Sequence, residues 1–262
     1  MQTILPIILR RDERLAQRVV ELDGMRAHLD PRVPLVWDAN WLLVERPGIP
    51  VEEIIAAADE TIGRAGVSHR SLYAYDRDDA ERLVRELEPR GWEVERGVYM
   101  VLRREPDRPA SPEVAVEETV LDEVEEVRRE FLADDLSEYF PEGVTREVLD
   151  QYLAFDRIVG EVSGDRWFVV RANGRVESFC RLLSDEGLGQ VEEVATLPQA
   201  RNRGYARAVV LAAVAASRAA DQELTFLGAL ADDWPRRLYA RLGFDEIGDE
   251  VVLYRRPGAA AR

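Results

Sequence analysis

The residues most able to do chemistry sit together in Gln190-Val-Glu-Glu-Val-Ala-Thr-Leu-Pro-Gln-Ala-Arg-Asn-Arg-Gly-Tyr-Ala206. A strand ends at Pro198, a short loop follows, and a long helix starts near Gly204. The first backbone N–H groups of a helix lack an intrahelical partner, and the aligned peptide dipoles add about half a positive charge there. That end is an anion site, best suited to phosphate. Gly204 and Ala206 remove side-chain bulk so that a ligand can approach the backbone. Arg201, Arg203 and Arg207 bring cations to one spot of an acidic chain. Taken alone, the loop is equally compatible with an ordinary βα turn carrying solvent-facing arginines.

The elements that must position this loop follow from the pattern of the second half. Val114-Ala-Val116 reads as a short strand, Leu121–Leu132 as a helix with one apolar face, and Thr145–Ile158 as a second helix. Trp167–Val170 and Val176–Leu183 form a β-hairpin, because Asn173-Gly174 tolerates the positive φ of a tight turn. Gln190–Leu197 is a strand, Gly204–Ala219 an Ala-rich helix, Leu224–Leu230 a strand, Pro235–Leu242 a helix, and Val251–Tyr254 the last strand. The first half alternates in the same way. Trp41–Val44, Leu72–Tyr75 and Val98–Leu102 are strands, and Val51–Ile62 and Asp78–Leu87 are helices. The opening run MQTILPIILRRDER has no basic leader and no small-residue cleavage site, and it reads as a strand rather than a signal peptide.

Glu105-Pro-Asp-Arg-Pro-Ala-Ser-Pro-Glu113 has three prolines and no large apolar side chain, so it cannot continue a helix or a strand. It marks a linker over 105–112 between residues 1–104 and residues 113–262. The ends of the two halves repeat: Gly91-Trp92 and Gly243-Phe244 are offset by the same interval as Arg103-Arg104 and Arg255-Arg256, which points to a duplicated fold.

With 46% apolar and 33% charged residues, the 262-residue chain is expected to fold as a soluble protein. Its net charge of −16 disfavours a nucleic-acid partner, which would meet a repulsive field, and is compatible with a cationic substrate. No apolar stretch reaches the ~20 residues of a membrane span. A lone Cys180 cannot form an internal disulfide, and with His28 and His69 as the only histidines no metal site is expected. All three read as core residues, and the setting as cytoplasmic.

Arg201-x-x-Gly204-x-Ala206 resembles the acyl-CoA pyrophosphate signature, Gln/Arg-x-x-Gly-x-Gly/Ala, of the GCN5-related N-acetyltransferase (GNAT) superfamily. Leu238-Tyr-Ala-Arg-Leu-Gly-Phe244 is similar to its second signature, and the order of elements over 113–256 agrees. The resemblance implies an α/β (α+β) chain of two GNAT-like domains, each a mixed, mostly antiparallel twisted sheet flanked by helices. The N-terminal one is degenerate, because its equivalent turn, Glu45-Arg-Pro-Gly-Ile-Pro50, loses donors to two prolines and gains bulk from Ile49.

The resemblance also implies roles. Acetyl-CoA is the cosubstrate, with its phosphates on Arg201, Asn202, Arg203, Gly204, Tyr205 and Ala206. Its pantetheine arm runs beside Val194, Ala195 and Thr196, and a main-chain N–H near Val194 or Ala195 polarises the acetyl carbonyl. A cleft is expected where this strand splays from Leu224–Leu230. Glu192 and Glu193 are candidate bases; strand alternation lets only one face the cleft easily, and the resemblance favours Glu192. Tyr239 fits the acid that protonates the leaving thiolate. Asp233 stands where many relatives have Asn, and Asp134–Phe140 stands where the acceptor site is often bordered. The expected activity is acetyl transfer to a primary amine of a small molecule or a protein, by direct attack. A non-catalytic acyl-CoA-binding or scaffold protein is the alternative.

Overall fold

The structure, a computed structural model, describes Met1 and residues 3–257. In chain order its main elements are α1 (Leu5–Leu15), β1 (Arg18–Leu22), β2 (Met25–Leu29), β3 (Trp41–Val44), α2 (Val51–Ala58), β4 (Arg70–Ala74), α3 (Arg77–Leu87) and β5 (Glu93–Leu102). There follow β6 (Glu117–Thr119), α4 (Leu121–Asp135), α5 (Arg146–Ser163), β7 (Asp165–Ala172), β8 (Arg175–Asp185) and β9 (Leu188–Thr196). The chain finishes with α6 (Tyr205–Ala219), β10 (Leu224–Leu230), α7 (Pro235–Leu242) and β11 (Phe244–Arg255). The fold is mixed α/β, with mostly antiparallel strands flanked by helices.

The chain forms two compact units. The first comprises residues 3–97, Thr145–Phe155 and 249–257; the second comprises Met1, Val98–Val144 and Asp156–Gly248. Strands β5 and β11 each give one end to each unit.

In the first unit the strand order is β1-β2-β3-β4-β11, antiparallel except for β3 beside β4. Its core joins Leu42 and Leu72 of the sheet to Ile54 and Ala58 of α2 and Leu83 and Leu87 of α3. Full burial of each Leu or Ile contributes roughly 1.5–3 kcal/mol. Asp76 caps α3 by accepting the Asp79 amide at 2.9 Å. The opening segment is helix α1, not the expected strand. Pro6 is tolerated in a first helical turn, and Ile4, Ile8 and Leu15 recur at helical spacing on the buried side.

In the second unit the order is β5-β10-β9-β8-β7-β6. The β7–β8 turn carries Asn173 at φ +53° and Gly174 at φ +77°, the pair of positive angles the Asn-Gly dipeptide supplies. One face of this sheet is covered by α6, whose Ala208, Val209 and Ala213 pack with Cys180, Leu182 and Val191. The other carries α4, with Phe131 edge-on to Phe179. Strand β6 begins at Glu117, just after the expected Val114–Val116, because the Val114 amide is spent on a turn to the Ser111 carbonyl. The proline-rich segment 105–112 holds no helix or strand. It is nonetheless fastened to the second unit: the Asp107 amide donates to the Arg241 carbonyl at 2.8 Å, and Glu105 pairs with Arg218.

Candidate active site

Strands β9 and β10 run parallel and pair over only three positions, Leu188 with Leu224 to Gln190 with Phe226. Beyond Gln190 the pairing stops, while β9 continues to Thr196 and β10 to Leu230. The splay expected between these strands therefore opens at Gln190–Phe226. On its other edge β9 keeps pairing with β8, but the register slips: Arg181 faces Glu192, whereas Phe179 faces Ala195. One residue of β8 is thus opposed by two of β9, Glu193 and Val194, which is a β-bulge. Glu193 takes φ +55° to make it.

The bulge changes which side chains share a face. Before it Val191 packs towards α6, and after it Val194 does, so the alternation is reset by one residue. Strict alternation would send Glu192 and Glu193 to opposite faces. Instead both carboxylates reach the same cluster of cations. Arg181 Nη2 lies 3.3 Å from Glu192 Oε2, and Arg128 Nη1 lies 2.5 Å from Glu193 Oε2. Asp156 of α5 ties the two arginines together, at 3.0 Å from Arg128 Nε and 3.3 Å from Arg181 Nη1. Gln190 Nε2 donates to Glu192 Oε1. The side chains of Arg128, Asp156 and Arg181 are 3–4% exposed, whereas those of Glu192 and Glu193 are 27% and 25% exposed. Burial pushes the Glu193 carboxyl up to about 7, and the Arg128 charge opposes that rise.

Residues Arg128, Asp156 and Arg181 are absent from the sequence-based site, although their phase on each element marks them. Leu121, Val124, Arg128 and Leu132 fall on the buried face of α4, and Val148, Tyr152, Asp156 and Val159 on the buried side of α5. A charge at a core position needs a partner nearby.

The loop after β9 makes a short helical turn at Pro198–Ala200, then Asn202 at φ +64° and Gly204 at φ +81° lead into α6. No side chain caps this helix start, and a Cβ at Gly204 would point into open space. The space in front of the first α6 amides is therefore open on the Gly204 side. Arg201 is exposed, with Nε 3.3 Å from the Thr196 carbonyl, and Arg203 is exposed. Arg207 departs from its expected place among the loop cations. It is 6% exposed and turned inward, donating to the Arg108 carbonyl at 2.8 Å and pairing with Asp107 at 2.7 Å. Tyr205 and Ala206 pack against the α6 core, as does Val194, while Ala195 is buried and its carbonyl accepts from Ser178 Oγ, which also meets Thr196 Oγ1.

Tyr239 of α7 lies in that same core with Cys180, Val191 and Phe244, and burial raises its phenol above the ordinary tyrosine value. Cys180 is fully buried, and burial likewise pushes its thiol up. Asp233 accepts from the Trp234 amide at 2.6 Å, before α7 begins. His28 and His69 stack on Trp41 and Trp37 in the first unit. Among the described residues no cluster of His, Cys, Asp and Glu is arranged to hold a metal ion. No helix among them is long and apolar enough to cross a membrane.

The Glu45–Pro50 turn, expected from the sequence to be the equivalent of the loop after β9, is internally filled. The Gly48 amide donates to Asp79 Oδ1 at 2.9 Å, Arg82 Nη2 donates to the Ile49 carbonyl at 3.0 Å, and Asp79 and Ile49 are buried.

A parallel pair that splays next to a bulge is followed here by a glycine-started helix whose first amides no side chain caps. Residues 163–246 match the family described as acetyltransferase (GNAT) domain. That match lies within the second unit and takes in both the bulge and the open start of α6. Solved structures agree along the chain's length. A GCN5-related N-acetyltransferase from Kribbella flavida is similar with TM-score 0.61 and 19% identity, covering 98% of this chain and 95% of its own. A functionally unknown conserved protein from Staphylococcus epidermidis aligns with TM-score 0.68 and 11% identity, over 92% of this chain and 94% of its own. A tandem GNAT protein from the clavulanic acid biosynthesis pathway aligns with TM-score 0.55 and 15% identity, over 89% and 78%. No curated protein matches the sequence significantly.

Proposed function

We propose that this protein is an acyl-CoA-dependent N-acyltransferase that moves an acetyl group from acetyl-CoA to a primary amine. The observation that carries this reading is the bulge at Glu193. It lies where β9 parts from β10, it brings two carboxylates to one face, and it stands one loop away from the open N-terminus of α6.

In this reading residues 113–262 supply the chemistry, 105–112 link the halves, and 1–104 form a degenerate GNAT-like domain. The phosphates of acetyl-CoA sit on Arg201–Ala206, held by the amides that Asn202 and Gly204 expose through their positive φ. The pantetheine arm follows Val194, Ala195 and Thr196. The incoming amine arrives as an ammonium ion and gives a proton to the glutamate pair, directly or through water. Its nitrogen then forms a bond to the acetyl carbon as the carbon–sulfur bond breaks, the departing thiolate takes a proton from Tyr239, and the extra proton left on the amide nitrogen passes through water to the Tyr239 phenolate, so that the phenol is restored. The resemblance favours Glu192; our proposal takes Glu193, which sits at the bulge and whose carboxyl burial pushes up to about 7, nearer the range that suits a base than an ordinary carboxylate. The reading includes a cytoplasmic setting, which the single buried thiol of Cys180 fits.

The test is thiol release from acetyl-CoA by the full chain against a panel of primary amines: polyamines, aminoglycosides, amino-acid derivatives and peptides. Release dependent on one amine class supports the enzyme. Tight CoA binding with no turnover on any amine supports a binding or scaffold protein instead.

A further inference from the structure

Two guanidinium groups and three carboxylates meet on the α4–α5 side of the second unit, and the carboxylates outnumber the cations. Asp156 is the one acid that both arginines share. It is 3% exposed, and each of its oxygens engages the cluster: Oδ2 with Arg128 Nε, and Oδ1 with Arg181 Nη1 and, at 3.5 Å, Arg128 Nη2. Arg128 offers its remaining nitrogen to Glu193, and Arg181 offers Nη2 to Glu192. Arg181 Nε is buried and has no hydrogen-bond partner, and the guanidinium lies over the Trp167 ring at 5.6 Å, so its position is fixed by packing as well as by charge. We infer that Asp156 is a positioning residue: by dividing two cations among three carboxylates it leaves Glu193 short of positive charge and able to accept the proton of an incoming amine.

The inference rests on the proposed acetyl transfer for its purpose, but its electrostatics stand on the cluster alone. Every element around Glu193 contributes charge. α4 brings Arg128 and, near its end, Asp135; α5 brings Asp156; β8 brings Arg181; and β9 brings Glu192. Asp156 and Glu192 favour the protonated form of Glu193, while Arg128 and Arg181 favour its ionised form. Asp135, itself pushed up by burial, draws on the same Arg128. Without Asp156 both guanidiniums would turn their full charge on the glutamates. Glu193, already in contact with Arg128, would then be held more firmly as its ion and be a poorer base.

The experiment uses the full chain labelled with carbon-13 at the glutamate side-chain carboxyl, titrated by NMR without CoA or acceptor. Glu193→Gln removes one resonance and so assigns it. In the wild type that resonance should titrate near 7. In Asp156→Asn its midpoint should fall by about one unit, a tenfold loss of proton affinity, and in Arg128→Gln it should rise. A folded Asp156→Asn with the wild-type midpoint overturns the inference. Should that variant fail to fold, a wild-type Glu193 midpoint in the ordinary carboxylate range overturns it as well. Where an amine is turned over with acetyl-CoA, the acid limb of kcat/KM should move with the same sign as the resonance; a limb that stays put overturns the link to the base. Absence of turnover on every amine, with the NMR shift intact, counts against the proposed transferase and not against the cluster.

Discussion

Arg104 Nη2 lies 2.7 Å from Asp245 Oδ1 within the second unit, and Arg256 holds Glu93 in the same manner within the first, with Nε 2.5 Å from Oε1. The offset from Arg104 to Arg256 equals the offset from Glu93 to Asp245. Each closing strand therefore begins with an acid that is met by the arginine following the other closing strand. Such reciprocity is what a duplicated unit leaves behind when its two copies exchange their final strands. Arg104 and Asp245 are both largely exposed, and each is drawn towards its charged form by the other. Exposed pairs of this kind are worth little. Replacing Arg104 with Ala should leave the urea midpoint of the full chain essentially unchanged, and a large loss would mean that the pair itself fixes the exchange.

The backbone is a stronger fastening. Gly91 and Gly243 stand before the two closing strands at φ +83° and +101°. A side chain at either position is strained by roughly 1–2 kcal/mol in this left-handed region. At Gly91 an added Cβ meets nothing within 4 Å, but at Gly243 it would run into the Arg104 carbonyl, next to the amides of Arg103 and Arg104 that donate to the Gly243 carbonyl. Gly91→Ala should therefore cost about 1 kcal/mol and Gly243→Ala about 3 kcal/mol or more. Equal shifts in urea unfolding would show that the close approach is relaxed at no cost.

Acid should weaken the first unit through His69. Burial lowers its imidazole from the ordinary value to about 3, despite the contact of Nε2 with the Asn40 carbonyl at 3.3 Å. The folded chain keeps the ring neutral where the unfolded chain binds a proton. Its stability is thus full above about 6.5 and falls as pH drops towards 3, by at most about 1.4 kcal/mol per pH unit. His28, also lowered by burial, acts with the same sign. Because His69 stacks on Trp37 at 4.7 Å, tryptophan fluorescence reports the transition. His69→Gln should flatten the acid limb between pH 6 and pH 4, and an unchanged slope would assign that limb to other groups.

Much of this was legible in the sequence. Asn173-Gly174 gave the hairpin, the Gly91 and Gly243 repeat gave the duplication, and Gly204 gave the helix start. What stayed hidden needed partners far along the chain. The N-terminal helix was masked because Pro6 and a run of Ile and Leu suit a strand edge as well as a first turn. The exchange of closing strands leaves no local pattern, since β5 and β11 are each apolar enough for either neighbour. The bulge was hidden because alternation is a rule of regular pairing, and the added residue shows only when β8 is laid against β9. The inward turn of Arg207 depends on Asp107, a hundred positions earlier.

One CoA per chain is expected, because one anion loop is open and the other already holds a carboxylate. On the proposed reading, Gly204→Ala should weaken CoA binding by roughly tenfold in calorimetry, since its Cβ would occupy the open space before the first α6 amides and the residue would sit at a strained φ. Arg203→Ala, an exposed and screened cation, should cost about threefold or less. A melting curve on Gly204→Ala separates a blocked site from a loosened helix. Asp79→Ala should not create a second site. It strips the Gly48 amide of its acceptor and leaves Arg82 without its nearest acid, so it should destabilise the first unit by about 1–3 kcal/mol while the stoichiometry stays at one. A second CoA bound by that variant would mean that Asp79 alone keeps the first loop closed.

The last prediction concerns the departing thiol. Tyr239 is 6% exposed, edge-on to Phe244 at 6.3 Å, and its phenol is held protonated by burial. Tyr239→Phe keeps the ring that fills the space between Leu238 and Leu242, so the fold and CoA affinity should be nearly unchanged. Only the donor is lost. A positioned acid typically contributes on the order of 10²–10⁴-fold to the rate, and water can stand in for part of it, so a fall in kcat of roughly tenfold or more is expected. Glu193→Gln should slow turnover differently: its deficit should shrink as pH rises, because more of the amine is then already neutral, whereas the deficit of Tyr239→Phe should not shrink in the same way. The two profiles separate the acid from the base. If Tyr239→Phe turns over a confirmed amine at the wild-type rate, with chemistry and not product release limiting, then Tyr239 serves only to fill the core beside Phe244.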